Sequence, residues 1–246
     1  SIRGCESVGG DEWNAYGIRL MKHSSKAIKA ILFDLDETLH DREATMRVFL
    51  RRQFERMGMV GCGITSGEYV ERFLELDEGG YANKREVYTE LLAELGSYEV
   101  EVFEKDRQQR SGEGAVRFDG VIEMLEELGS QYQLGMITNG RSQGQNLKVD
   151  EMGIRKFFSA ISISEEVGIK KPDPKIFEAC VNKLGVGFRE CVMVGDNPKN
   201  DIAPAVELGM KTVWVRNRWF DEPKRCDVVV ERVSDLRFNI EKEWSS

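Results

Sequence analysis

Asp34-Leu35-Asp36-Glu37-Thr38 places two carboxylates and a hydroxyl directly behind the apolar run Ala30-Ile31-Leu32-Phe33. A continuous apolar run of this length reads as a buried parallel strand, and the ligand crevice of an open α/β sheet lies outside the carboxyl ends of its strands. The pair therefore falls where a nucleophile and its proton-transfer partner would be needed. A strand followed by an acidic turn would explain the same string without chemistry, so the other strand ends must decide.

Those ends carry matching signals. The expected strand Gln133–Ile137 runs into Thr138-Asn139-Gly140, and Cys191–Val194 runs into Gly195-Asp196-Asn197 with Asp201 beyond. Lys170-Lys171-Pro172-Asp173 precedes a helix opening at Pro174. Singly, Thr138-Asn139-Gly140 is a turn, Asp173 a helix cap and Lys171 a solvated charge. Right-handed crossovers would make the strands parallel and bring all these groups to one sheet edge. Carboxylates gathered from separate loops repel, so Asp34, Asp36 and Asp196 together make sense around a hard divalent cation, Mg²⁺. Thr138, Asn139 and Lys171 are the expected substrate-binding residues, with Lys171 as a point charge on a phosphate. Phosphoryl transfer needs positioning and charge neutralisation more than covalent work. Asp34 is the expected attacker, with Lys171 and the cation offsetting its charge, and Thr138 and Lys171 complete the catalytic set. Asp36 is expected to act as acid and then as base, provided its surroundings lift its pKa from the usual ~3.9 toward working pH.

The rest of the chain must position these groups. Met46, Phe49, Leu50, Phe54 and Met57 recur at helical spacing up to Gly58, and Thr65-x-x-Glu68 has the pattern of a capping box opening a helix that buries Tyr69, Val70, Phe73 and Leu74. A third helix carries Val87, Leu91, Leu92 and Leu95, and a fourth covers Tyr98 to Arg110. The glycine-bearing loop Met59–Ile64 reads as a plain interhelical turn, with a substrate-facing role as the second reading. From Phe118 onward helix and strand alternate: helices at 121–129, 143–152, from Pro174 and at 201–208, strands at 160–163 and 212–215, and a short edge strand at 228–230. This predicts an α/β fold, a Rossmann-like parallel-sheet core at 28–40 and 115–246 with an all-helical block inserted at 41–114. Residues 1–27 read as an N-terminal extension, with translation expected to begin at Met21. No G-x-G-x-x-G follows the first strand, so a Rossmann dehydrogenase is not expected.

Composition narrows the partners. Against 35 basic residues stand 43 acidic ones in a chain of 246, a net charge of -8 that disfavours nucleic acid. No apolar run suits a membrane span. The five cysteines include no C-x-x-C pair, which fits a reducing, cytoplasmic setting, and two histidines exclude a histidine-rich metal centre.

Asp34-x-Asp36-x-Thr38, Thr138-Asn139, Lys171-Pro172 and Gly195-Asp196-x-x-x-x-Asp201, in this order, resemble the four motifs of the haloacid dehalogenase superfamily. The resemblance covers residues 28 to 218 and includes Ser164-Glu165-Glu166-Val167-Gly168 and Lys171-Pro172-Asp173-Pro174-Lys175-Ile176-Phe177. It implies Asp34 as nucleophile and metal ligand, Asp36 as acid/base with its backbone carbonyl on Mg²⁺, Thr138 and Lys171 on the phosphate, Asp196 on the metal and Asp201 supporting from behind. The helical block resembles that family's C1 cap. Thr138-Asn139-Gly140 followed by Gln145-x-x-Lys148 is similar to the branch holding pyrimidine 5′-nucleotidases and N-acylneuraminate-9-phosphatase. The implied activity is Mg²⁺-dependent hydrolysis of a small phosphorylated metabolite by a monomer or homodimer. A phosphomutase, a 2-haloacid dehalogenase and a non-catalytic binding protein are the alternatives, of which Asp36 and Asp196 count against the dehalogenase.

Overall fold

The computed structural model describes residues 27–80, 82–96, 98–110 and 112–238, so nearly all of the expected extension, Met21 included, lies outside the described residues. Strand β1 (Ala30–Phe33) leads through β2 (His40–Asp41) into helices α1 (Arg42–Arg56), α2 (Ser66–Asp77), α3 (Lys84–Ala93) and α4 (Val100–Arg110), and β3 (Val116–Arg117) leads out. There follow α5 (Val121–Gly129), β4 (Gln133–Thr138), α6 (Ser142–Glu151), β5 (Ala160–Ile163), α7 (Ser164–Val167) and α8 (Pro174–Leu184). The chain ends its described course with β6 (Cys191–Gly195), α9 (Ala203–Glu207), β7 (Lys211–Val215) and β8 (Val228–Val230).

Six strands form one parallel sheet in the order β5-β4-β1-β6-β7-β8. The chain steps outward from β1 to β5, then returns to start again at β6 on the other side. The order thus reverses between β1 and β6, and that switch point is where such sheets open a ligand crevice. β1 is apolar throughout because both its faces are covered. Ile31 and Phe33 pack with Val121, Met124, Leu125 and Leu128 of α5, while Ala30 and Leu32 pack with Ile176, Phe177 and Cys180 of α8. The spacing of the α5 residues by three and four makes one buried stripe, each side chain contributing about 2 kcal/mol. α8 opens as its sequence suggests, with the Asp173 carboxylate accepting from Lys175 N and proline in the first turn.

The expected helix at 201–208 is shorter and preceded by a wide π-type turn at Pro198–Ile202. Asn197 Oδ1 caps this turn by accepting from Lys199 N and Asn200 N, and the extra width lets Asp201 reach the buried ammonium of Lys171.

Helices α1 to α4 build a core of their own around Phe49, Phe54, Tyr69, Phe73, Tyr88, Leu91 and Phe103. The expected capping box at Thr65 and Glu68 is formed. Gln53, fully buried inside, accepts from the hydroxyls of Tyr69 and Tyr88 and donates to Phe103 O and Asp106 Oδ2, so every polar arm is satisfied. Two expected core residues differ: Leu74 is half-buried, facing a cavity against the sheet, and Leu95 lies past the end of α3. β2 and β3 pair antiparallel, His40 with Arg117 and Asp41 with Val116, so the chain enters and leaves the block at adjacent points. No helix among the described residues is long and apolar enough to cross a membrane.

Candidate functional site

The loops after β1 and β6 meet first. Asp34 N donates to Val194 O at 2.9 Å, extending the β1–β6 ladder by one residue and setting the Asp34 carboxylate beside the start of the next loop. Lys171 Nζ donates to Asp34 Oδ1 at 2.5 Å and to Asp201 Oδ1 at 2.7 Å, with its side chain only 3% exposed. Asp34, Asp196 and Asp201 each place an oxygen within 4.8 Å of the others. One buried ammonium facing three buried carboxylates leaves the group short of positive charge. Burial and repulsion from Asp34 and Asp201 accordingly push the Asp196 carboxyl up to about 9. Burial pushes Asp34 up to about 7, with Lys171 opposing and Asp201 adding repulsion. Burial disfavours the Lys171 ammonium, but Asp201 and Asp34 outweigh it and hold the group protonated.

Asp201 is fully engaged: beyond Lys171, its Oδ2 accepts from Asn197 N at 3.0 Å. Gly195 makes room for it, since a Cβ at that position would lie 2.6 Å from the Asp201 side chain. Asp196 Oδ2 accepts from Asn217 Nδ2 at 2.5 Å, and its carbonyl accepts from Trp214 Nε1 at 2.6 Å. Asn217, two residues past β7, was not among the expected site residues, although a polar residue at yet another strand end was a signal for it.

Asp36 faces a different neighbourhood. Its Oδ1 accepts from Lys148 Nζ at 2.7 Å and meets His40 Nδ1 at 2.6 Å, and its Oδ2 accepts from Gln145 Nε2 at 3.0 Å. Burial alone would raise this carboxyl, yet Lys148 and His40 hold it well below the usual carboxylate range. The upward shift that an acid role for Asp36 requires is therefore not the resting condition. His40 Nε2 meets Thr45 Oγ1 at 2.8 Å, and the same hydroxyl lies within hydrogen-bond distance of Asp41 O and Val116 N. Burial holds the His40 imidazole below its ordinary value, which favours a neutral ring that donates Nδ1–H to the Asp36 carboxylate. Gln145 and Lys148 lie three apart on α6 and so share a helix face; that spacing was legible, but not that the face would meet Asp36.

Thr138, 1% exposed at the end of β4, accepts from Gln145 Nε2 at 2.6 Å, which leaves its own hydroxyl proton to donate. The Asn139 amide is spent on Lys171: its Nδ2 donates to Lys171 O at 3.0 Å and its Oδ1 accepts from Lys171 N at 2.8 Å. Asn139 thus fixes the lysine, and what it can still offer a ligand is backbone. The structure therefore brings Asp34, Asp36, Asn139, Lys171 and Asp196 to one cleft of about 340 Å³, with Thr138 buried beneath it. The carboxylates that converge in space are Asp34, Asp196 and Asp201; the Asp36 side chain is turned to its own cations.

A second cavity of about 360 Å³ adjoins this cleft, and Glu37, Arg42 and Gly79 border both. Its walls come from the core loop Asn217–Trp219 and from α1 and the end of α2. Gly79 is pressed against the Trp219 ring, where an added Cβ would come within 2.3 Å. Loop Met59–Ile64 lines neither cavity; it tucks Met59 into the helical core and leaves Val60 80% exposed, as a plain turn does.

Residues 31–215 match the model of the haloacid dehalogenase-like hydrolase family. The chain is 33% identical over 199 residues to glyceraldehyde 3-phosphate phosphatase of Pyrococcus abyssi, spanning 77% of this chain and 82% of that protein. A shorter stretch of 98 residues, 39% of this chain and 40% of the relative, is 41% identical to N-acylneuraminate-9-phosphatase of Mus musculus. Among solved structures, a HAD phosphatase from Thermococcus onnurineus superposes with a TM-score of 0.61 at 28% identity, covering 88% of this chain and all of that one.

Proposed function

Because the chain belongs to the haloacid dehalogenase-like hydrolase family, we propose that it is a Mg²⁺-dependent phosphatase of small phosphate monoesters working through an aspartyl-phosphate. The observation that carries this reading is the excess of buried carboxylate over ammonium at Asp34, Asp196, Asp201 and Lys171. Such a donor set fits a hard divalent cation, with Asp34 and Asp196 as side-chain ligands and the Asp36 carbonyl beside them; Asp201, spent on Lys171 and Asn197 N, supports from behind. When bound, Mg²⁺ neutralises charge on the transferring phosphoryl group.

The chain's own groups then divide the work. Lys171 and the Thr138 hydroxyl bind phosphate oxygens, with backbone N–H groups around Asn139 completing the cradle. Lys171 fixes Asp34 through Oδ1, and Asp34 Oδ2 accepts no hydrogen bond among the described residues, so a lone pair is available for attack. Asp36 takes up a proton from solvent as the anionic phosphate binds beside it, and gives that proton to the leaving oxygen as the bond from Asp34 to phosphorus forms and the ester P–O bond breaks. Asp36, ionised again beside Lys148, takes a proton from the water that attacks the aspartyl-phosphate, releasing inorganic phosphate and free Asp34. The helical block acts as the cap that closes the leaving-group side.

Phosphate release from p-nitrophenyl phosphate and an alkyl phosphate, in Mg²⁺ and after chelation, tests this reading. Asp34→Asn should lose at least about 10³-fold in kcat with the fold intact, and Asp36→Asn should harm the alkyl ester far more than the activated one. Robust turnover by Asp34→Asn, or activity indifferent to exhaustive chelation, would refute it.

A further inference from the structure

The geometry points to Glu37 as the residue that selects the leaving group, and to a neutral, hydroxyl-bearing phosphate monoester as the substrate class. This rests on the phosphatase reading above. Glu37 borders both the phosphate cleft and the adjoining chamber, so a group leaving from the Asp34 and Asp36 side enters the chamber past its carboxylate. At about 360 Å³ the chamber has room for a sugar-sized group, since a water takes up about 30 Å³.

The guanidinium groups around the chamber each bond a carboxylate other than Glu37. Arg42 donates to Asp77 at 2.7 Å, Arg47 to Glu43 and Glu71, and Arg218 to Glu43 at 2.6 Å. The chamber lining carries four carboxylates, Glu37, Asp41, Glu43 and Asp77, against three guanidinium groups, Arg42, Arg47 and Arg218, a balance that disfavours a second anionic group on a substrate. The Glu37 carboxylate accepts no hydrogen bond among the described residues, although the residue is more than half-buried. An acceptor held in that way asks for a donor, and hydroxyl groups supply it. Phe118 and Trp219 give the chamber apolar faces that suit the C–H side of a polyol.

Glu37 also sits at φ 62, in the left-handed region, held there by its N–H on His40 O at 2.9 Å. Asparagine or glycine would adopt that backbone at lower cost; the left-handed turn sets this longer carboxylate at the junction of the two cavities.

The test uses the whole chain with Mg²⁺ and three probes: sn-glycerol 3-phosphate, 3-phosphoglycerate, which exchanges a hydroxymethyl group for a carboxylate, and p-nitrophenyl phosphate. The wild type should favour glycerol phosphate over phosphoglycerate in kcat/KM, and Glu37→Gln should lower the ratio of glycerol phosphate to p-nitrophenyl phosphate about tenfold. Glu37→Asn, which keeps the left-handed turn comfortable, should do the same, and Glu37→Lys should shift preference toward phosphoglycerate. A wild-type preference for phosphoglycerate, or ratios unmoved by both Gln and Asn, overturns this inference alone. No phosphate release from any probe overturns the phosphatase reading and this inference with it.

Discussion

At Asp34 and Asp196 the metal-free protein favours the protonated carboxyl, at about 7 and about 9 against an ordinary value of 3.8. A folded state that binds more protons than the unfolded chain loses stability as pH rises through that interval. In EDTA the melting temperature should therefore fall between pH 5.5 and 8.5, and Mg²⁺, which binds the ionised carboxylates, should raise it more at pH 8.5 than at pH 5.5. Thermal denaturation in the two media checks this; a Mg²⁺ effect that is equal or larger at the lower pH would remove the metal from this cluster. That Asp34, Asp36, Lys171 and Asp196 share one cleft was legible because the three aspartates follow strand ends, Lys171 precedes the Pro174 helix, and the topology does the gathering. The Asp36 environment was not, because His40, Gln145 and Lys148 reach it from two different elements, and no single stretch of sequence states that they meet.

Elements hold these residues through a few close approaches. Gly195 ends β6 against the Asp201 side chain, and that contact keeps Asp201 on Lys171. Gly195→Ala should push Asp201 aside, lower kcat about 100-fold by misplacing Lys171, and cost about 1–3 kcal/mol of stability. Steady-state kinetics beside a urea titration separates the two effects; a variant with normal kcat would show that Asp201 is not the anchor. Periodicity foretold α1, α2, α5 and α8 and all the core strands, since each buries a continuous stripe or face. It did not foretell the wide turn at Pro198–Ile202, because that turn is set by Asn197 and by the pull of Lys171 on Asp201 rather than by apolar spacing.

Across the whole molecule, the inserted helices and the sheet meet over the candidate site at one tight point, Gly79 on Trp219, with the ion pair of Arg218 and Glu43 beside it. Gly79→Ala meets both a positive φ of 66 and the indole ring, so it should lower kcat/KM by holding the two bodies apart. Adding Trp219→Ala should restore much of the loss, measured as a double-variant cycle; no recovery would assign the cost to the backbone instead. An insertion of helices after the first strand could be read from the change in period along the chain. Which of its glycine-bearing turns faces the sheet could not, because Gly61–Gly63 and Gly79–Gly80 look alike until the block is folded.

The same contact gives the protein an optical reporter. Trp214 is completely buried, whereas Trp219 is 37% exposed, rests on Gly79 and carries the Arg218 guanidinium 4.7 Å from its ring. Its backbone N–H donates to Asn217 Oδ1, and Asn217 Nδ2 holds Asp196, so one side chain ties the indole to the carboxylate cluster. With Trp13 and Trp244 replaced by phenylalanine, the emission open to a quencher would come from Trp219, and its intensity would register in real time how the helices sit on the sheet.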